Sequence, residues 1–148
     1  MLDESLADAE GTAVDAFAHE ENRISFDQPG VSKYDGFFRE VAIVSGTVRE
    51  TRFVLDQFNA GTLGMADVMP VVTFSSDALP KIKDNIPALI EKAEAFDPVA
   101  DFPGFRNKMK IPGIVASLAD ASKALKESAT DIPGILQELK ALAGLGAP

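Results

Sequence analysis

Apolar side chains recur every three or four positions along most of the chain, the spacing that places them on one face of an α-helix. The pattern covers three segments, residues 33–59, 63–96 and 111–142. In the first segment the apolar stripe is interrupted by a single polar residue and consists of Tyr34, Phe37, Val41, Val44, Val48, Thr51, Leu55 and Phe58. No window shows the strict apolar and polar alternation that indicates a strand. We therefore predict an all-α protein built on three long helices.

Local signals mark the expected helix ends. Ser32 with Asp35 three residues later is similar to a capping box, which predicts that the first helix begins there. Gly61 suits a left-handed C-terminal cap after that helix. The pair Asp97-Pro98 predicts a further helix start, followed by a short helix or packed loop over residues 99–110.

Prolines interrupt the second and third segments, and each interior proline removes a backbone hydrogen bond. Because Pro70, Pro80 and Pro87 leave the apolar phase of the second segment unbroken, it is either one kinked helix or two helices. We favour two, the first ending at about residue 74 and the second running from about residue 77 to residue 96, since Ser and Asp at 75–77 suit a helix start. The motif at 131–134, Asp-Ile-Pro-Gly, similarly predicts a restart after Thr130.

The links after the first and second segments are short, roughly residues 60–62 and Asp97, and predict that neighbouring helices run antiparallel. The expected fold is an antiparallel bundle of three long, partly proline-kinked helices over residues 32–148. Residues 1–31 are expected to form an acidic, partly flexible N-terminal segment. A weaker fourth helix is possible there, because Leu2, Leu6, Ala9, Ala13 and Phe17 keep helical spacing.

Two expectations concern the surface of the first long helix. Phe37 and Phe38 are adjacent, so we expect that one of them faces the edge of the core or the solvent. Charges of both signs alternate along the same helix, which predicts a solvated face made of Arg39, Glu40, Arg49, Glu50 and Arg52.

The negative charge is concentrated near the N-terminus. The whole chain has a net charge of −9, and residues 1–27 hold eight carboxylates against one Arg, so the other residues carry only −2. An acidic chain repels phosphate backbones and anionic lipid, so we expect no nucleic-acid partner. The longest run without charge, 57–66, is far shorter than the roughly 20 apolar residues of a spanning helix, and no membrane span is expected.

Groups that perform chemistry are scarce. The chain has no Cys and a single His, His19, which is flanked by Glu20 and Glu21 and is interpreted as a solvated surface residue. Carboxylate pairs such as Glu91 with Glu94 fall outside the apolar stripes. No phosphate-binding loop or nucleophile elbow is present. We therefore expect no cofactor, no metal and no enzymatic activity.

Two functional hypotheses remain. The first is a non-enzymatic helical-bundle interaction or assembly module, whose partner is another protein or a second copy of the chain. The alternative is a carrier or sensor of an apolar small molecule or lipid held between kinked helices. Either function would use apolar side chains near helix ends and kinks, and the candidates are Phe38, Phe53, Met65, Met69, Phe74, Phe96, Phe102, Phe105 and Met109. Lack of Cys and a start that looks trimmed favour an exported, periplasmic bacterial protein.

Overall fold

The computed structural model describes residues 31–146, and all regular structure within that range is helical. The helices are α1 (Ser32–Asn59), α2 (Met65–Ala95), α3 (Pro98–Asp101), α4 (Phe105–Lys108) and α5 (Ile111–Gly146). The all-α prediction is confirmed for this part of the chain. The weak N-terminal helix, the acidic residues of 1–27 and His19 lie outside the described residues.

The predicted apolar stripes form the core. The long helices α1, α2 and α5 contact one another pairwise. Nearly every stripe position of α2 and α5 is buried, and the largest of these side chains are Leu79, Ile82, Ile86, Leu125, Ile132, Ile135 and Leu139. Each helix thereby removes its apolar face from water, which is the main favourable contribution to folding.

The ends of α1 match the predicted segment, but its N-terminal cap does not. Val31 occupies the cap position in an extended conformation and makes no side-chain hydrogen bond, whereas Ser32 already lies in the helix. At the other end, Gly61 adopts φ of 81°, the left-handed conformation that glycine tolerates best. Its amide donates to the Phe58 carbonyl at 3.0 Å and closes the helix.

The favoured break near residues 75–77 is wrong, because α2 runs without interruption from Met65 to Ala95. Ser75 is fully buried, and its hydroxyl lies 2.7 Å from the hydroxyl of Thr51 on α1. Asp77 pairs with Lys81 one turn later instead of capping a new helix. The polar residues that suggested a helix start therefore serve an interhelical contact and a surface ion pair.

The predicted restart after Thr130 is also wrong, since α5 is one helix through Pro133. The Thr130 hydroxyl donates to the Lys126 carbonyl at 2.9 Å, a bond to the preceding turn that leaves the helix intact. Ile132 and Ile135, on either side of the proline, are both buried. Packing of these neighbours offsets the lost backbone bond.

Helix α1 is buried over more of its circumference than its single stripe predicts. Phe37 and Phe38 are both buried, so the expectation that one of them reaches the edge of the core is wrong. Their ring centroids lie 5.6 Å apart in a tilted arrangement. Ile43 and Val54, which lie off the stripe, are buried as well.

The prediction that the charged residues of α1 form one solvated face is also wrong in part. Arg39 and Arg49 are exposed, but Glu40 and Glu50 are buried. No described group hydrogen-bonds either carboxylate oxygen of Glu40, although the side chain is only 6% exposed. A buried polar group without a partner is unfavourable, so this residue lowers the stability of the fold.

Residues 96–110 connect α2 to α5 and contain two short helices. The Asp97 carboxylate accepts a hydrogen bond from the Ala100 amide at 3.3 Å, and Pro98 occupies the first turn of α3, as predicted. Gly104, with φ of 96°, separates α3 from α4. The segment is thus a structured connection, made of two helices of four residues each.

Candidate functional site

The nine predicted site residues do not share one surface. Phe38 and Phe102 are buried, whereas Met65, Phe105 and Met109 are exposed. The remaining four are half-buried and pack against the core, namely Phe53, Met69, Phe74 and Phe96. The structure brings Phe96 and Phe102 together around a residue that the prediction did not include, Tyr34.

Tyr34 is the centre of an aromatic cluster where α1 begins and α2 ends. Its ring stacks on Phe96 with centroids 4.3 Å apart and meets the edge of Phe102 at 5.1 Å. Phe37 contacts Phe96 edge-on at 5.2 Å. Such pairs add to the stability from area burial alone. The cluster holds the start of the α2–α5 connection against α1.

A polar contact strengthens this attachment. The Tyr34 hydroxyl donates to Asp101 Oδ2 at 2.6 Å, and Lys33 Nζ lies 2.8 Å from Asp101 Oδ1. Burial raises the pKa of Tyr34 above its ordinary value, and the hydrogen bond and charge of Asp101 act in the same direction. Hydrogen bonds from Lys33 and Tyr34 lower the pKa of Asp101. The carboxylate is therefore held ionised between two donors, and its role is to anchor the connection.

A second polar network joins α1 to α5. The Arg52 guanidinium makes a bidentate contact with Glu138, in which Nη2 lies 2.9 Å from Oε1, and its Nε donates to Asp56 at 3.0 Å. Asn59 donates to the same Glu138 oxygen at 3.2 Å. Hydrogen bonds from Arg52 lower the pKa of Glu138. Asp56 and Glu138 both pair with the single cation Arg52. The network is therefore a structural link between α1 and α5.

Most of the exposed large apolar side chains are grouped around the α2–α5 connection. Of the five large hydrophobic residues that are exposed within 31–144, four lie between residues 99 and 115, and Met65 is the other. Phe105 is 82% exposed and Met109 79%, while Val99 and Val115 are 70% and 51% exposed. Side chains of this size are usually removed from water, so these residues are the candidate functional site of the described chain.

Cations surround the two most exposed of these side chains. Arg106, Lys108 and Lys110 are all exposed, and no Asp or Glu occurs from residue 102 to residue 119. We call residues 104–115 the basic apolar segment. It carries a charge of +3 within a chain of net charge −9. Sequence reasoning named Phe105 and Met109 but not the cations, although the absence of carboxylates was visible in the sequence.

Local hydrogen bonds order the backbone of the basic apolar segment, and two buried side chains hold it to the core. The Asn107 side chain donates to the Pro103 carbonyl at 2.8 Å, and the Lys108 amide donates to the Gly104 carbonyl at 3.1 Å. Phe102 before it and Ile114 within it are buried in the core. The exposed apolar side chains are therefore held in water by an ordered turn.

Two surface depressions lie elsewhere on the described chain. One, with a volume of about 530 Å³, lies beside Pro87 and is lined by Lys83, Ile86, Pro87, Ile90, Glu91, Glu94 and Ala129. The other, of about 670 Å³, follows the outer face of α5 from Ala119 to Asp131. Both are open to solvent. The first is the more apolar of the two and joins α2 to α5.

Residues 31–146 contain no cluster of three or more His, Cys, Asp or Glu side chains that could hold a metal ion. Over the same range, no helix has the length and apolar character needed to cross a membrane. Comparisons with protein-family models, with curated proteins and with solved structures each found no match to this chain.

Proposed function

We propose that this chain is a non-enzymatic interaction module, and that the basic apolar segment is its contact surface. The observation that carries the proposal is the exposure of Phe105, Met109 and Val115 within this one segment, with a further exposed side chain, Val99, shortly before it in sequence. Folding leaves these apolar side chains in water while burying most others of their kind. A partner that covers these side chains would remove their apolar surface from water, and this burial would stabilise the complex.

The proposed scaffold is a bundle in which α2 runs antiparallel to α1 and α5. Two contacts support this arrangement. Tyr34, near the start of α1, meets Asp101, just after α2. Arg52, near the end of α1, meets Glu138, near the end of α5. The beginnings of α1 and α5 then lie at one end, where the basic apolar segment is fixed.

Site-specific photo-crosslinking tests the proposal in cells that naturally make the chain. A benzophenone amino acid replaces Phe105, and a matched chain carries it at Lys123, an exposed position on α5. We expect an adduct, with a protein or with lipid, from position 105 that is severalfold stronger than from position 123. Met109→Ser in the first chain should weaken it. Equal labelling from both positions, or none from either, would contradict the proposal.

One observation favours the alternative function, carriage of an apolar small molecule or lipid. The depression beside Pro87 is lined by the half-buried Ile90 above the buried Ile86, with Lys83 and Glu91 also in its lining, a combination that suits an apolar molecule with a polar end. Native mass spectrometry of the purified chain tests this alternative. Bound mass that is lost on Ile90→Ser would support it, and an unliganded mass throughout would count against it.

A further inference from the structure

The basic apolar segment has two features, an exposed apolar pair and a positive charge, and one kind of partner can bind both. Phe105 begins α4, and Met109, the residue after its end, keeps right-handed helical backbone angles, so their spacing of four residues places the two side chains on the same side. They are also the two most exposed large apolar side chains among residues 31–144. The partner must therefore accept a pair of bulky apolar groups.

The charge of the segment limits the partner further. Arg106, Lys108 and Lys110 alternate with the apolar pair and have no carboxylate neighbour in sequence over residues 102–119. Two copies meeting through this segment would bring three cations against three, so a symmetric contact is disfavoured. The partner should carry negative charge.

The acidic character of the whole chain does not oppose this. Charges separated by more than a Debye length, about 8 Å at physiological ionic strength, are largely screened. A surface that approaches the segment closely responds to its local charge of +3 more than to the net charge of −9. The net charge of the whole chain predicts repulsion from anionic lipid, but the local charge of this segment is positive and predicts attraction.

The exposure of the apolar pair favours a lipid surface over a protein. Phe105 and Met109 project from a short turn fixed by Asn107, rather than lining a groove. A protein partner would need a preformed pocket for two protruding side chains, whereas a fluid bilayer accepts them without one. Lys and Arg at the same level can remain with the phosphate groups while the apolar side chains enter the acyl boundary.

We infer that the basic apolar segment docks peripherally on an anionic lipid surface, with Phe105 and Met109 entering the bilayer boundary and Arg106, Lys108 and Lys110 contacting the headgroup phosphates. This inference rests on the proposed interaction role and names its partner. Phe102 and Ile114 stay in the protein core, so only the projecting turn inserts. Because its two determinants are separate side chains, each can be removed without the other.

Vesicle co-sedimentation of the full chain tests the inference. The probes are vesicles of phosphatidylcholine alone and vesicles in which roughly one lipid in three is phosphatidylglycerol. The variants are Phe105→Ser with Met109→Ser, and Arg106→Gln with Lys108→Gln and Lys110→Gln. Met65→Ser and Lys123→Gln are the matched controls, because both residues are exposed and lie outside the segment. Circular dichroism confirms that every variant is folded.

We expect binding to the anionic vesicles, little binding to the neutral ones, and a fall in binding as salt rises. The apolar variant should bind at least about tenfold more weakly, since each buried apolar side chain contributes more than that factor. Loss of three cations should weaken binding by about fivefold for each. The two controls should bind like the unaltered chain.

Three results would overturn the inference. They are equal sedimentation with neutral and anionic vesicles, no sedimentation with either, and unchanged binding by both variants. Soluble polyglutamate is a competitor of the protein class. If the chain binds polyglutamate at least as tightly as the anionic vesicles, and the apolar variant keeps its vesicle binding, the lipid partner is rejected in favour of an acidic protein. A protein adduct in the crosslinking experiment would then leave the interaction role standing while the lipid partner is rejected.

Discussion

Tyr34 shows how one side chain can serve both the core and a surface connection. Its ring is buried between Phe96 and Phe102, and its hydroxyl reaches Asp101, 67 residues later in the chain. The apolar spacing predicted the buried ring. It contained no signal for the acceptor, because Asp101 lies in a segment whose path depends on Gly104 and on where α2 ends.

Replacing Tyr34 with Phe should lower the free energy of unfolding by about 1–2 kcal/mol, because a hydrogen bond to a charged acceptor is lost while the ring is kept. Chemical denaturation measures this change. Since the folded-state pKa of Tyr34 is raised above its ordinary value of about 10, stability from this group is complete below that pH and declines as pH rises beyond it.

The substitution should therefore also flatten the alkaline decline in stability above about pH 10. Asp101→Ala is the control that removes the acceptor instead of the donor. If the Tyr34–Asp101 bond matters, the double variant should lose less than the two single variants together. Full additivity of the two single losses would contradict the coupling.

At the scale of the element, the prolines separate what sequence patterns can predict from what they cannot. Pro70, Pro80 and Pro87 all lie on the exposed side of α2, and Pro133 is exposed on α5. On that side the carbonyl freed by a proline can turn toward water, so the helix continues. The unbroken apolar phase indicates one continuous helix, as observed. The local Ser and Asp signals instead predict a helix break at residues 75–77, which does not form.

Replacing Pro80 with Ala should raise the free energy of unfolding by about 1–2 kcal/mol. The gain of a helical hydrogen bond and better helix propensity is worth up to about 3 kcal/mol, and greater freedom of the unfolded chain offsets about 1 kcal/mol of it. Thermal and urea denaturation check the change. Pro103→Ala is the matched control, because Pro103 is exposed but lies outside any helix.

The control substitution should give no gain, since no helical bond is restored at residue 103. Equal stabilisation by both substitutions would mean that the interior proline costs α2 nothing. A loss of stability at Pro80 would mean that the proline shapes α2 to fit its neighbours.

Helix α1 likewise shows that local sequence patterns can fail, because Glu40 follows a surface charge pattern in sequence and is nevertheless buried.

At the scale of the whole molecule, two polar links join parts of the chain that are far apart in sequence. Asp101 bonds Tyr34 and Lys33, and Glu138 bonds Arg52 across 86 residues. The basic apolar segment depends on the first link, since Asp101 holds the connection from which Phe105 and Met109 project. The sequence predicted Phe105 and Met109 as site residues. It could not show that others of the predicted set, such as Phe102, are buried, because burial depends on the three-dimensional path of the chain.

Acid should weaken both links. The pKa values of Asp101 and Glu138 are lowered by their cationic partners, so each carboxylate contributes stability that is present above its ordinary pKa of about 4 and is lost as pH falls through the folded value. We therefore expect the free energy of unfolding to fall below about pH 4. Glu138→Gln should make that fall shallower. Because the Glu138 side chain is 37% exposed, the loss at neutral pH should be about 1 kcal/mol or less.

Urea denaturation from about pH 2.5 to about pH 7, a range that brackets carboxylate titration, measures both effects. Glu94→Gln is the matched control, because Glu94 is an exposed carboxylate on the rim of the Pro87 depression. If Glu94→Gln and Glu138→Gln change the acid slope equally, the Arg52 network contributes nothing specific. A change confined to Glu138→Gln would show that the ends of α1 and α5 are joined by charge as well as by apolar packing.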